Sequence, residues 1–202
     1  MQTSTTDLHN QRNYRNAKRT VILAAVIAIL FVAIGFPFLG PIAAAICVVF
    51  LVSFIPWRLT TYGRPADPNP IVVPYLITVM LFMVHVGEEY LTEIWIGFSG
   101  LGQPMSEMTF FLVAAAIAPI FWLTGLALLH LRTEIGNWLA WVFVVAMLLG
   151  EPTHFVFPFL AEGHFGYFSG MYTSILPIIA AAVLGFLLYR DGKQSRAEFV
   201  SK

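Results

Sequence analysis

The chain has 202 residues, of which 58% are hydrophobic and 11% charged, with eleven basic and eleven acidic side chains in balance. A mean hydropathy of +0.79 belongs to a protein dissolved in lipid, not to a water-soluble domain, and zero net charge implies no nucleic-acid partner. The single Cys47 excludes an internal disulfide and a cysteine-rich metal site.

In chain order the sequence predicts a flexible tail over 1–18, then an apolar run too long for one crossing. Its centre reads "GFPFLGP", residues 35–41, where two prolines and two glycines predict a tight turn between helices 20–36 and 41–57. Further helices are predicted over 70–98, 107–131, 135–160 and 170–190, followed by a second tail over 191–202. Each apolar run suits a crossing of roughly 20 residues. The fold class is therefore all-α and integral to a membrane, a bundle of six transmembrane helices in a single domain, 19–190.

Charge placement tests that count. If the amino terminus is cytoplasmic, all eleven basic residues, from Arg12 to Lys202, fall on one side. The opposite connections, near Pro37, over 99–107 and over 161–169, hold none, which is what the positive-inside rule requires. Both termini are then cytoplasmic, and the expected location is a bacterial plasma membrane, crossed several times. The basic tails need no partner beyond the bilayer and its anionic lipid.

Against this apolar background stands "HVGEEY", residues 85–90, at the end of a long uncharged run. Ionisable groups at membrane depth cost about 2.5–3.5 kcal/mol each by insertion scales, and they mark sites. On a helix Glu88 and Glu89 follow His85 by three and four positions, within a sector of roughly 100°. A second polar group is "GEPTH", residues 150–154. A helix is disfavoured before proline, and proline suits the start of a new one, so the fifth helix is predicted to kink at Glu151-Pro152. Counting about 1.5 Å per residue from the inner ends puts His85 about 21 Å along its helix and Glu151 about 24 Å along its own. His85, Glu88, Glu89, Glu151 and His154 then share one depth, in the outer half of the bilayer. Glu93 extends the stripe toward the outer surface; Glu107, Glu162 and His164 lie in outer connections where they could cover the site, although Glu107 and Glu162 read better as solvated loop charges; and His130 sits at the opposite end.

"HVGEE" matches the motif that names the HXXEE-domain family, small polytopic membrane proteins, and "EPTH" and "FGYFSGMYTSILPI" are similar to that family's later segments over roughly residues 70–190. The resemblance makes His85, Glu88 and Glu89 the defining residues, with Glu151 and His154 beside them, and carries no established activity. The facing histidine and glutamates also resemble the emopamil-binding sterol isomerases.

Three functional classes fit these residues. In the first, His85, Glu89, Glu151 and His154 ligate a divalent zinc, iron or manganese ion, with Glu88 as general base for hydrolysis of a lipid or lipid-like small molecule entering sideways from the bilayer. In the second, a neutral glutamate protonates an isoprenoid or sterol double bond without a metal, and Trp95, Phe155, Phe157, Tyr167 and Phe168 steady a carbocation. The third is a proton-coupled transporter or a small-molecule binding protein.

Overall fold

The computed structural model describes residues 5–39, 41–102 and 105–200. Helix α1 spans Thr5–Leu39 and α2 spans Pro41–Leu59. The sequence predicts a tail before residue 19 and a turn beginning at Gly35; α1 instead starts at Thr5 and runs through Gly35 and Pro37. The turn residue Gly40, like parts of the predicted tails at 1–4 and 201–202, lies outside the described residues.

Helix α3, Val72–Leu91, carries Pro74 in its first turn, where the missing amide hydrogen costs no helical bond. The sequence predicts continuation to 98, but the helix stops seven residues earlier. Thr92 bonds back to the Glu88 carbonyl through both its amide, at 2.9 Å, and its hydroxyl, at 2.7 Å. Glu93 then takes a left-handed conformation, φ 55°, and the short helix α4, Ile94–Gly100, sets off in a new direction. No glycine or proline announces this break, because a tertiary contact holds it: the Thr92 hydroxyl lies 2.5 Å from that of Ser169.

The fourth predicted helix is observed as α5, Glu107–Phe110, a π-helical stretch, Phe111–Ile117, and α6, Ala118–His130. Ser106 caps its start by accepting from the Thr109 amide at 3.0 Å. Helix α7, Glu134–Leu149, is capped in the same way by Thr133, which accepts from the Gly136 amide at 3.1 Å. The predicted kink at Glu151-Pro152 is present: α7 ends at Leu149, a 3-10 turn covers Glu151–Phe155, and α8 covers Phe157–Glu162 with Pro158 in its first turn. The last helix, α9, spans Ile175–Val200. It begins five residues later than predicted and continues through the segment read as a tail.

Helix α7 is the axis of the bundle. It packs against α1, α2, α6 and α9, while α3 packs against α6 and α9. Its run from Asn137 to Val145 is buried without a break, as expected of a helix apolar on every side. The peripheral helices do the opposite and expose Ile22, Ile29, Leu51, Met80, Ile120 and Phe186. Apolar surface of that extent needs lipid around it. Among the described residues five segments are long and apolar enough to cross a membrane, Asn16–Phe36, Val72–Leu91, Glu107–His130, Glu134–Phe155 and Ile175–Gln194, with a shorter apolar helix over Ala45–Leu59. The protein is an all-helical, multi-pass membrane protein by these measures.

Candidate metal centre at the end of the third helix

Two breaks in regular structure create the site. The last two turns of α3 supply His85 and Glu89, the 3-10 turn after α7 supplies Glu151 and His154, and the segment 167–174 ahead of α9 closes over them. All four side chains are buried, His85 to 1% exposure.

Their polar atoms converge. His85 Nε2 lies 2.7 Å from Glu151 Oε2 and 3.5 Å from Glu89 Oε1. His154 Nε2 lies 3.4 Å from the same Glu89 oxygen and 3.7 Å from the same Glu151 oxygen. The two imidazoles meet edge to face, with centroids 4.8 Å apart and planes at 85°.

The outer nitrogens decide what the inner ones carry. His154 Nδ1 is 2.7 Å from the Ser169 carbonyl oxygen; a carbonyl only accepts, so Nδ1 holds the hydrogen. His85 Nδ1 is 3.2 Å from Thr173 Oγ1, and that hydroxyl gives its own hydrogen to Glu88 Oε2 at 2.5 Å. It is therefore an acceptor toward His85, whose Nδ1 is again the donor. In both neutral rings Nε2 presents a bare lone pair to the carboxylates. Four electron-rich atoms in a dry pocket repel unless a cation or added protons lie between them.

The geometry of Glu151 bears on which. Its Oε2 sits 2.7 Å from His85 Nε2, and no other group hydrogen-bonds that buried oxygen. Ligands about 2.0–2.1 Å from a tetrahedral zinc stand about 3.3 Å from one another, and the two Glu151 separations, 2.7 Å to His85 and 3.7 Å to His154, bracket that value. Donor atoms of His85, Glu151 and His154 all lie within 4.8 Å of one another. A nitrogen and carboxylate donor set suits zinc, iron or manganese, so the residues fit such an ion.

Other predicted residues lie elsewhere. Glu88, expected beside Glu89, turns away from the histidines: it accepts from the Tyr167 hydroxyl at 2.7 Å, the Tyr172 amide at 3.3 Å and the Thr173 amide at 2.7 Å. Burial and the bond to Glu88 raise the Tyr167 hydroxyl above its ordinary pKa, which keeps it a donor. Glu93 is exposed, and so is His130. Glu107 accepts from the Tyr90 hydroxyl at 2.7 Å, and Glu162 pairs with His164 at 3.7 Å on the surface. Of the aromatic residues, Phe157 and Phe168 pack against His154, each with its ring centroid 6.1 Å away, whereas Trp95 stacks with Tyr90 and Phe110.

Gly170 and Thr173 belong to the site as well, although sequence reasoning did not single them out as part of it. Gly170 has φ +83°, and a Cβ there would meet His85 Cε1 at 2.7 Å, Glu89 Cγ at 2.8 Å and His154 Cε1 at 2.9 Å. Glycine thus serves twice, permitting the left-handed turn and letting backbone lie on the cluster. The run of small polar residues through "SGMYTS" was the available signal.

No family model, curated protein or solved structure matches the chain.

Proposed function

We propose that the chain is a metal-dependent membrane hydrolase of the HXXEE type, acting on an ester or amide of a lipid-like molecule. The observation that carries the reading is the buried convergence of His85, Glu89, Glu151 and His154 in a cluster whose histidines are held by their outer nitrogens and turn the inner ones toward the carboxylates. Literal agreement of "HVGEE" with the family motif supports the HXXEE part of the reading and says nothing of the reaction.

His85, His154 and Glu151 would hold the ion, a two-histidine, one-carboxylate set of the kind catalytic zinc uses. A bound divalent ion supplies Lewis acidity toward a carbonyl and acidifies water. Glu89, about 3.5 Å from both inner nitrogens, replaces Glu88 as the general base, since Glu88 is spent on other partners. Apolar Val156, Phe159 and Leu160, exposed on the adjoining turn and α8, favour a hydrophobic substrate arriving from the bilayer.

In the same reading the chain crosses the membrane six times with both termini cytoplasmic. The nineteen residues of Pro41–Leu59 are long enough for a crossing of about 28 Å, and the one-sided placement of basic residues supports the orientation.

Elemental analysis of the protein purified without added metal tests the central claim. About one equivalent of zinc, iron or manganese is expected, falling to background in His85→Ala and Glu151→Gln. A metal-free wild type that takes up none of the three on titration would overturn it and leave the acid–base or transport classes.

A further inference from the structure

The motif places two glutamates side by side, and only Glu89 faces the histidines. Neighbouring helical residues point about 100° apart, so a second carboxylate at position 88 cannot share the first one's task. What it does instead is visible in its partners. Glu88 Oε2 accepts from both the amide and the hydroxyl of Thr173, at 2.7 and 2.5 Å, and Oε1 accepts from Tyr167 and Tyr172. Every one of those donors belongs to the segment that lies over the cluster. From Thr173 the chain of bonds returns to α3, because Thr173 Oγ1 is the partner of His85 Nδ1.

We propose that Glu88 is a positioning residue that sets the tautomer of His85 through the Thr173 hydroxyl, so that the motif's first residue is oriented by its fourth through another segment of the chain. A threonine hydroxyl can donate or accept. With its hydrogen committed to the carboxylate it accepts, His85 must donate from Nδ1, and Nε2 is left bare toward Glu151. With no acceptor at position 88 the hydroxyl is free to donate to Nδ1, which would push the imidazole hydrogen to Nε2 and block the inner lone pair. Ser169 does the equivalent for His154 with a carbonyl, which cannot reverse. The two histidines therefore differ: one has a fixed outer partner and one a partner whose direction Glu88 selects. Outer partners of this kind orient ligating histidines generally, and their loss typically costs 10–100-fold in metal affinity.

The inference rests on the metal reading for its consequence but not for its geometry, and the experiment separates the two. Nitrogen-15 spectra of histidine-labelled protein in detergent micelles, without added metal, report the tautomer of His85, whose signals are identified by their loss in His85→Gln. Zinc titration of the same samples reports affinity. In the wild type and in Thr173→Ser, Nδ1 of His85 is expected to carry a hydrogen, and Nε2 to give up any it holds when zinc is added. In Thr173→Val and Glu88→Ala the Nδ1 hydrogen should be lost wholly or partly, leaving the ring protonated at Nε2, and zinc affinity should fall by roughly 10–100-fold. If Thr173→Val does not purify folded, Glu88→Ala carries the same comparison against Thr173→Ser. An unchanged tautomer in the variants overturns the proposal even if wild type binds zinc; a tautomer change in a protein that takes up no zinc sustains the positioning role and removes the metal reading beneath it.

Discussion

Gly170 sets a sharp limit at the scale of single residues. An added Cβ would press within 3 Å of His85, Glu89 and His154 at once, on a backbone with φ +83° that an L side chain rarely adopts. Gly170→Ala is therefore expected to lift the segment 167–174 from the cluster, lowering stability by about 1–3 kcal/mol from overpacking and weakening metal uptake together with it. Thermal unfolding and metal content, measured on one sample, check both. His85→Ala and Glu89→Gln are expected to abolish turnover singly, with the double variant no worse, because members of one catalytic unit are non-additive; an additive pair would return both residues to independent packing roles. The meeting of His85, Glu89, Glu151 and His154 was legible in advance, since spacings of four and three on two helices of equal depth leave few other places for them. The direction of Glu88 was not. It depends on donors 79 to 85 residues away in a loop whose path no local pattern specifies.

At the scale of elements, the close approach of α6 and α7 is set by Gly136. A Cβ at this position would lie 2.2 Å from the Leu129 amide nitrogen and 2.3 Å from the Leu128 carbonyl carbon. Backbone cannot yield as a side-chain tip can, so Gly136→Ala should cost about 3 kcal/mol, the upper end of ordinary overpacking, read as a lowered thermal midpoint in detergent. Gly87 is the contrast. It stands inside the motif on α3, where a Cβ meets nothing within 4 Å, and Gly87→Ala should leave metal uptake unchanged while gaining about 0.5–1 kcal/mol of helix propensity. The kink at Glu151-Pro152 could be read from the sequence because proline's constraints are local. The stop at Leu91 could not, because Thr92 is held by Ser169 across the fold, Glu93 turns left-handed after it, and neither residue type breaks helices by itself. Likewise nothing in "FLVAAAI" signals a π-helical stretch.

For the whole molecule, membrane character follows from composition, and the centrality of α7 from its unbroken apolar surface. Orientation follows from charge alone and is open to direct test. With Cys47 replaced by Ser, single cysteines at Arg64 and at Glu162 report opposite faces. Both sites are in connections and not in spans, Arg64 in the link between α2 and α3, and Glu162 at the exposed end of α8. If basic residues stay inside, an impermeant maleimide added to intact cells should label the cysteine at 162 and spare that at 64 until the membrane is opened. The same result fixes where the chemistry occurs. His85 is fourteen residues along α3, and Glu151 follows the last turn of α7; both helices start from the Arg64 side, so labelling at 162 puts the cluster in the outer half of the bilayer. Labelling at 64 in intact cells would invert the molecule and bring the centre near the cytoplasmic leaflet. Labelling at both positions in intact cells would mean that an even number of crossings separates them, which contradicts the three spans, Val72–Leu91, Glu107–His130 and Glu134–Phe155, that lie between them.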